Sequence, residues 1–161
     1  GLVDAFRPGF PLPPDRVVDL LSGALAAIEP DAVTGVHCCG RTDWAAVLAA
    51  GPDLLSAPVG GGLDGAAAPV AAFLDRGGRV AWGAVPTDGP VGERPDPLAR
   101  RLTAEWRALA DAGCDPDLLR RQALVTPVCG LAGHDPRQAG TALALAVAVA
   151  RAAAGPHMAS A

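Results

Sequence analysis

Four times along this chain a short apolar run closes on a turn-forming residue, and each time a stretch with helical spacing follows. The runs are Val36–Cys39, Leu54–Ala57, Arg79–Val85 and Ala123–Pro127. They have strand length, they lie between Gly, Pro and Asp signals, and helical periodicity resumes after each one. Such alternation commits the chain to parallel strands joined by right-handed crossovers. Two architectures satisfy it: four consecutive βα units forming the C-terminal half of a TIM (β/α)8-like barrel, or a small open parallel α/β sheet.

The helical stretches carry their own punctuation. Pro14 stands where a first turn accepts proline, and Val17, Val18, Leu21, Leu25 and Ile28 recur at helical spacing. Thr42 or Asp43 offers a cap for a helix over Trp44–Ala50, which Gly51-Pro52 ends. Leu63–Arg76 and Leu98–Ala112 follow, the second placing Leu102, Trp106 and Leu109 on one face. Asp115 caps a helical turn through Arg121, and Asp135-Pro136 opens a last helix to about Ala153. Residues 1–13 are rich in Pro and read as an extended lead-in, and Gly155-Pro156 marks 155–161 as a flexible tail. One domain over 1–154 is expected. Beginning at Gly1 without an initiator Met, the chain reads as a piece of something longer.

Composition excludes several functions. Half of the 161 residues are hydrophobic and 19% are charged, so a large apolar surface must be buried. A net charge of −4, with arginines scattered apart from two pairs, argues against a nucleic-acid partner. The apolar run 143–154 is broken by Arg151 and falls short of the roughly 20 residues of a membrane span, so no membrane partner is expected. Four cysteines without the look of a small secreted scaffold point to reduced thiols and a cytoplasmic location.

Chemistry concentrates at two strand ends. In Val36-His37-Cys38-Cys39-Gly40, alternation puts His37 and Cys39 on one face and turns Cys38 to the other. Cys129, at the end of Pro127-Val128-Cys129-Gly130-Leu131, adds a third soft donor. Together they would bring zinc to within one ligand of its usual four. The same residues also fit a satisfied histidine beside packed thiols. Cys38 and Cys114 read as packing residues, and adjacent Cys38 and Cys39 make a poor disulfide. Gly60-Gly61-Gly62 lacks the spacing of a phosphate loop and reads as a flexible turn. Asp88, in the long loop Pro86–Pro97, can bind a substrate amine or relay a proton, although Asp-Gly is equally a turn signal. His134 could face solvent, and Trp44, Trp82 and Trp106 are core or face aromatics by default.

At these residues the chain resembles the cobalamin-independent methionine synthases and their uroporphyrinogen-decarboxylase-like relatives. That family carries H-x-C at one barrel strand end and N-P-x-C-G-L at the last; here they stand as His37-Cys38-Cys39 and Thr126-Pro127-Val128-Cys129-Gly130-Leu131. The resemblance implies barrel strands five to eight, and zinc on His37, Cys39 and Cys129 binding a homocysteine-type thiol. It also implies a methyltetrahydrofolate-type methyl donor. The missing barrel half, or a second copy of the chain, is the implied partner. Two positions depart from the pattern. The family's glutamate ligand falls at Pro58, and its loop histidine falls opposite Asp88.

Overall fold

The structure is a computed structural model and describes residues 13–29, 31–92 and 94–155. The lead-in and tail expected at 1–13 and 155–161 lie almost wholly outside those residues. Elements follow the expected order: α1 (Pro14–Ala26), β1 (Gly35–His37), α2 (Trp44–Ala49), β2 (Leu54–Pro58), α3 (Ala67–Asp75), β3 (Arg79–Val85), α4 (Pro95–Asp111), α5 (Pro116–Arg121), β4 (Ala123–Pro127) and α6 (Pro136–Ala154). The four strands form one all-parallel open sheet in the order β1-β2-β3-β4. Among the described residues, β1 and β4 each leave one edge unpaired.

Sequential order has a consequence for layering. Right-handed crossovers between successive neighbours place every connecting helix on the same side of the sheet. Burial follows that rule. Leu55, Ala57, Val80, Trp82 and Ala84 are buried in the hydrophobic core with helix residues Val47, Val70, Phe73, Leu98, Leu102 and Val149, and Val36, Ala123 and Val125 pack against it. The opposite phase is more open outside β3: His37 is exposed, Leu54, Ser56, Pro58 and Thr126 are half-buried, and Leu124 is 46% exposed, whereas Ala81, Gly83 and Val85 of β3 are buried. Each large core side chain buried on the helix side is worth about 1.5–3 kcal/mol. That side therefore holds the fold together.

Local chemistry explains the element boundaries. Asp43 caps α2 by accepting from Ala46 N at 3.1 Å, and Asp135 caps α6 by accepting from Arg137 N and Gln138 N at 2.8 and 3.0 Å. Asp115 does the same for α5 through Asp117 N and Leu118 N, and these bonds hold its carboxyl below the usual carboxylate range.

Several boundaries differ from the sequence expectation. β1 stops at His37, although Cys38 N still donates to Ser56 O at 3.0 Å. The helix expected from Leu98 starts at Pro95, because prolines 95 and 97 fall in a first turn whose N–H groups need no partner within the helix. Leu63–Arg76 divides into a 3-10 turn over Leu63–Ala66 and the helix α3.

The three tryptophans differ in their surroundings. Trp44 and Trp82 are buried as expected, and Trp44 Nε1 donates to Gly61 O at 3.0 Å. Trp106 is half-buried against the core. No helix among the described residues is long and apolar enough to cross a membrane.

Candidate metal centre

The site lies where the open face of the sheet meets the C-terminal ends of its strands. β1 projects His37 onto that face, and Cys39 follows it two residues later. Thr42 Oγ1 donates to Gly40 O at 3.0 Å, tightening the turn that leads to α2. Cys38 lies in the opposite phase and packs against the helix-side core, where burial pushes its thiol pKa up against a lowering hydrogen bond from Thr42. It cannot join the cluster without turning the strand over.

Cys129 reaches the same place from the far edge of the sheet. β4 ends at Pro127, and Val128 N donates to Val85 O at 2.8 Å, which draws the chain inward across the end of β3. Only a glycine beneath lets it pass. A side chain built on Gly83 would put its Cβ 2.8 Å from Val128 Cα and 3.3 Å from Pro58 Cα. The pairing of β3 with β4 is irregular between Gly83 and Val85, where the strand adjusts to this crossing.

One donor atom from each of His37, Cys39 and Cys129 lies within 4.8 Å of the others, and all three residues are exposed. Among the described residues this is the one such cluster of metal-ligating side chains. The sequence expectation for these three residues therefore holds in space, and the group can hold a metal ion. The Cys39 side chain responds to Cys129 beside it. Its thiol is pushed above the ordinary value because the Cys129 side chain hydrogen-bonds to it, with some burial and the Cys129 charge adding. Two thiolates this close repel, and a cation reverses that penalty.

Ser56 was not singled out by the sequence. Its Oγ lies 2.8 Å from His37 Nδ1, from the adjacent strand at the paired register position. The tautomer with the proton on Nδ1 donates it to Ser56 and leaves the Nε2 lone pair for a cation. Metal-ligating histidines are held by this kind of contact. A hydroxyl in a strand has no spacing signature, which is why the sequence could not mark it.

Pro58 is half-buried at the end of β2 and pairs with Gly83, so the family's glutamate position offers no side-chain donor here. Asp88 is exposed in the loop after β3 and lies outside the cluster. His134 is half-buried, and its Nε2 donates to Thr87 O at 3.1 Å, while Val91 N donates to Gln138 Oε1 at 2.9 Å. These two bonds fasten the loop carrying Asp88 to the segment that follows Cys129. Cys114 is buried and donates to Ala67 O, a packing role. The glycine turn after β2 takes left-handed angles at Gly60 and Gly62, and Gly60 N donates to Glu105 Oε2 at 3.2 Å. No protein-family model, curated protein or solved structure matches the chain.

Proposed function

We propose that this chain carries the thiol-activating zinc centre of a cobalamin-independent methionine-synthase-like methyltransferase. The observation that carries the reading is the convergence of one imidazole and two thiols, from segments far apart in sequence, within 4.8 Å. Tetrahedral zinc with bonds of about 2.0–2.3 Å sets its sulfur and nitrogen ligands roughly 3.6–3.8 Å apart. An inward adjustment of about 1 Å therefore suffices, and exposed side chains can make it. When bound, zinc lowers the pKa of a thiol so that its thiolate exists at neutral pH.

The remaining parts of the reading concern the chain's own residues. His37, Cys39 and Cys129 would be the ligands, and Ser56 fixes the imidazole. Pro58 leaves the position of a fourth protein ligand free for the sulfur of a homocysteine-type thiol. The methyl donor implied by the resemblance is a methyltetrahydrofolate-type molecule. Asp88, in the loop that the His134 bond fastens to the segment after Cys129, would be the residue to meet a substrate amine. Free thiols of this kind suit a reducing cytoplasm.

Sequential strand order with helices on one side is also the geometry of half an eight-stranded barrel. Two free edges and an open face bearing Leu54 and Leu124 favour a partner supplying four more strands, either the other barrel half or a second copy. A second reading rests on Pro58: a non-catalytic assembly or small-ligand-binding domain with a vestigial metal site.

Metal analysis separates the two. Protein purified without chelator should carry one zinc per chain, and Cys39→Ser or Cys129→Ser should reduce it to background while circular dichroism stays unchanged. Full zinc retention in the double variant would remove the methyltransferase reading. Sedimentation as a monodisperse monomer would remove the second copy as partner.

A further inference from the structure

The ligand cluster also allows a chemistry other than metal binding. Its two sulfurs lie within 4.8 Å of each other, and both residues are exposed. All four cysteines are free, yet the other two are poor partners. Cys38 adjoins Cys39 and faces the opposite side of the sheet, and Cys114 is buried against Ala67. Reaching a disulfide of about 2.05 Å requires the Cys39 and Cys129 sulfurs to close by less than about 3 Å, a displacement within side-chain rotation.

We infer that Cys39 and Cys129 are a reversible dithiol–disulfide pair, oxidised by hydrogen peroxide or an organic hydroperoxide, and that closing the bond switches the metal centre off. The chemistry balances in two steps. The Cys39 thiolate attacks one peroxide oxygen, the O–O bond breaks, and the leaving oxygen departs as water or alcohol after taking a proton. Cys129 then attacks the resulting sulfenic sulfur, the S–O bond breaks, and a second water leaves as the S–S bond forms. Two thiols are oxidised by one electron each and one peroxide is reduced by two. Both thiolate donors are consumed, so a cation held by His37 alone would be released. A cellular dithiol reverses the bond. The bond rests on the two sulfurs, and its action as a switch rests on the metal reading above.

The test uses zinc-loaded protein, with zinc measured before and after titration with hydrogen peroxide. The expected result is loss of two of the four thiols and a mass decrease of two hydrogens. Non-reducing digestion should give one cross-linked species joining tryptic peptides 17–41 and 122–137, with one zinc released per bond. Dithiothreitol should reverse all of these. Because Cys38 shares a peptide with Cys39, a Cys38→Ser variant that still cross-links assigns the bridge to Cys39, and Cys129→Ser should abolish it.

A Cys38–Cys39 bridge, an intermolecular bridge, or oxidation of Cys39 to its sulfinic acid without a bridge would overturn the inference. Zinc bound without any bridge would refute the switch and leave the metal reading standing. A bridge in protein whose reduced form takes up no zinc when zinc is supplied would refute the metal reading and uphold the bond.

Discussion

Gly83 is the position where a single methyl group should do the most damage to the site. Its φ is not in the left-handed region, so alanine brings no backbone strain and the cost is purely steric. The new Cβ would sit 2.8 Å from Val128 Cα, and real Cβ atoms essentially never come closer than 3.0 Å to such an atom. Restoring an ordinary 3.4 Å contact moves Val128 outward by about 0.6 Å in an interior with little free volume. Overpacking of this kind costs about 1–3 kcal/mol.

The same displacement is passed to Cys129, whose sulfur then has further to travel, beyond the adjustment of about 1 Å, to reach ligating distance. Gly83→Ala should therefore lower unfolding stability in urea by about 1–3 kcal/mol. It should also weaken zinc roughly 10–100-fold in competition with a chromophoric chelator, the loss expected when a supporting contact of a metal site is removed. Gly89→Ala is the control, because nothing lies within 4 Å of a side chain built there. If Gly83→Ala matches the wild type in both stability and zinc affinity, the crossing of Val128 over β3 does not hold Cys129 in place.

Two further outcomes follow from single contacts. Ser56→Ala should leave the melting temperature nearly unchanged but weaken zinc about tenfold or more, because His37 loses its orienting partner; unchanged affinity would mean that Ser56 does not orient the ring. Burial raises the Glu105 carboxyl pKa, with the Asp64 charge adding and the Gly60 N–H opposing, and Glu105 Oε1 is buried without a partner. A pKa raised by folding means that stability is full below the ordinary carboxylate value and is lost as pH rises through the folded value. Glu105→Gln should thus melt above the wild type at pH 7 and level with it at pH 4, and a difference independent of pH would contradict that reasoning.

The sequence marked His37, Cys39 and Cys129 because alternation along a strand and closure on glycine are local signals. Their meeting was not local. It depends on Gly83, which reads in sequence as an ordinary strand residue, and on a bond from Val128 to Val85 that no spacing announces. Ser56 and Glu105 escaped notice for the same reason, since each acts through a neighbour supplied by another strand or helix. Helix caps at Asp43, Asp115 and Asp135 were readable because cap and first turn are adjacent in the chain. Pro95 reads as loop in the sequence because proline signals a break as readily as a helix start, and only the packing of Leu98 and Leu102 decides between them. Sequence alternation allowed two architectures and could not choose between them, since closure of a barrel depends on how edges pair and not on any run of residues.

Strand order carries one more consequence, for how the molecule assembles during synthesis. Each strand pairs with the one made just before it, so the early units can condense while later ones are still emerging from the ribosome. His37 and Cys39 are translated first and must wait, solvated and thiol-bearing, until β4 docks and delivers Cys129. An interruption between the third and fourth strands would leave a nascent chain with two donors, too few to retain a cation against the cell's own chelators. Loading of the metal would then report that the last strand has arrived.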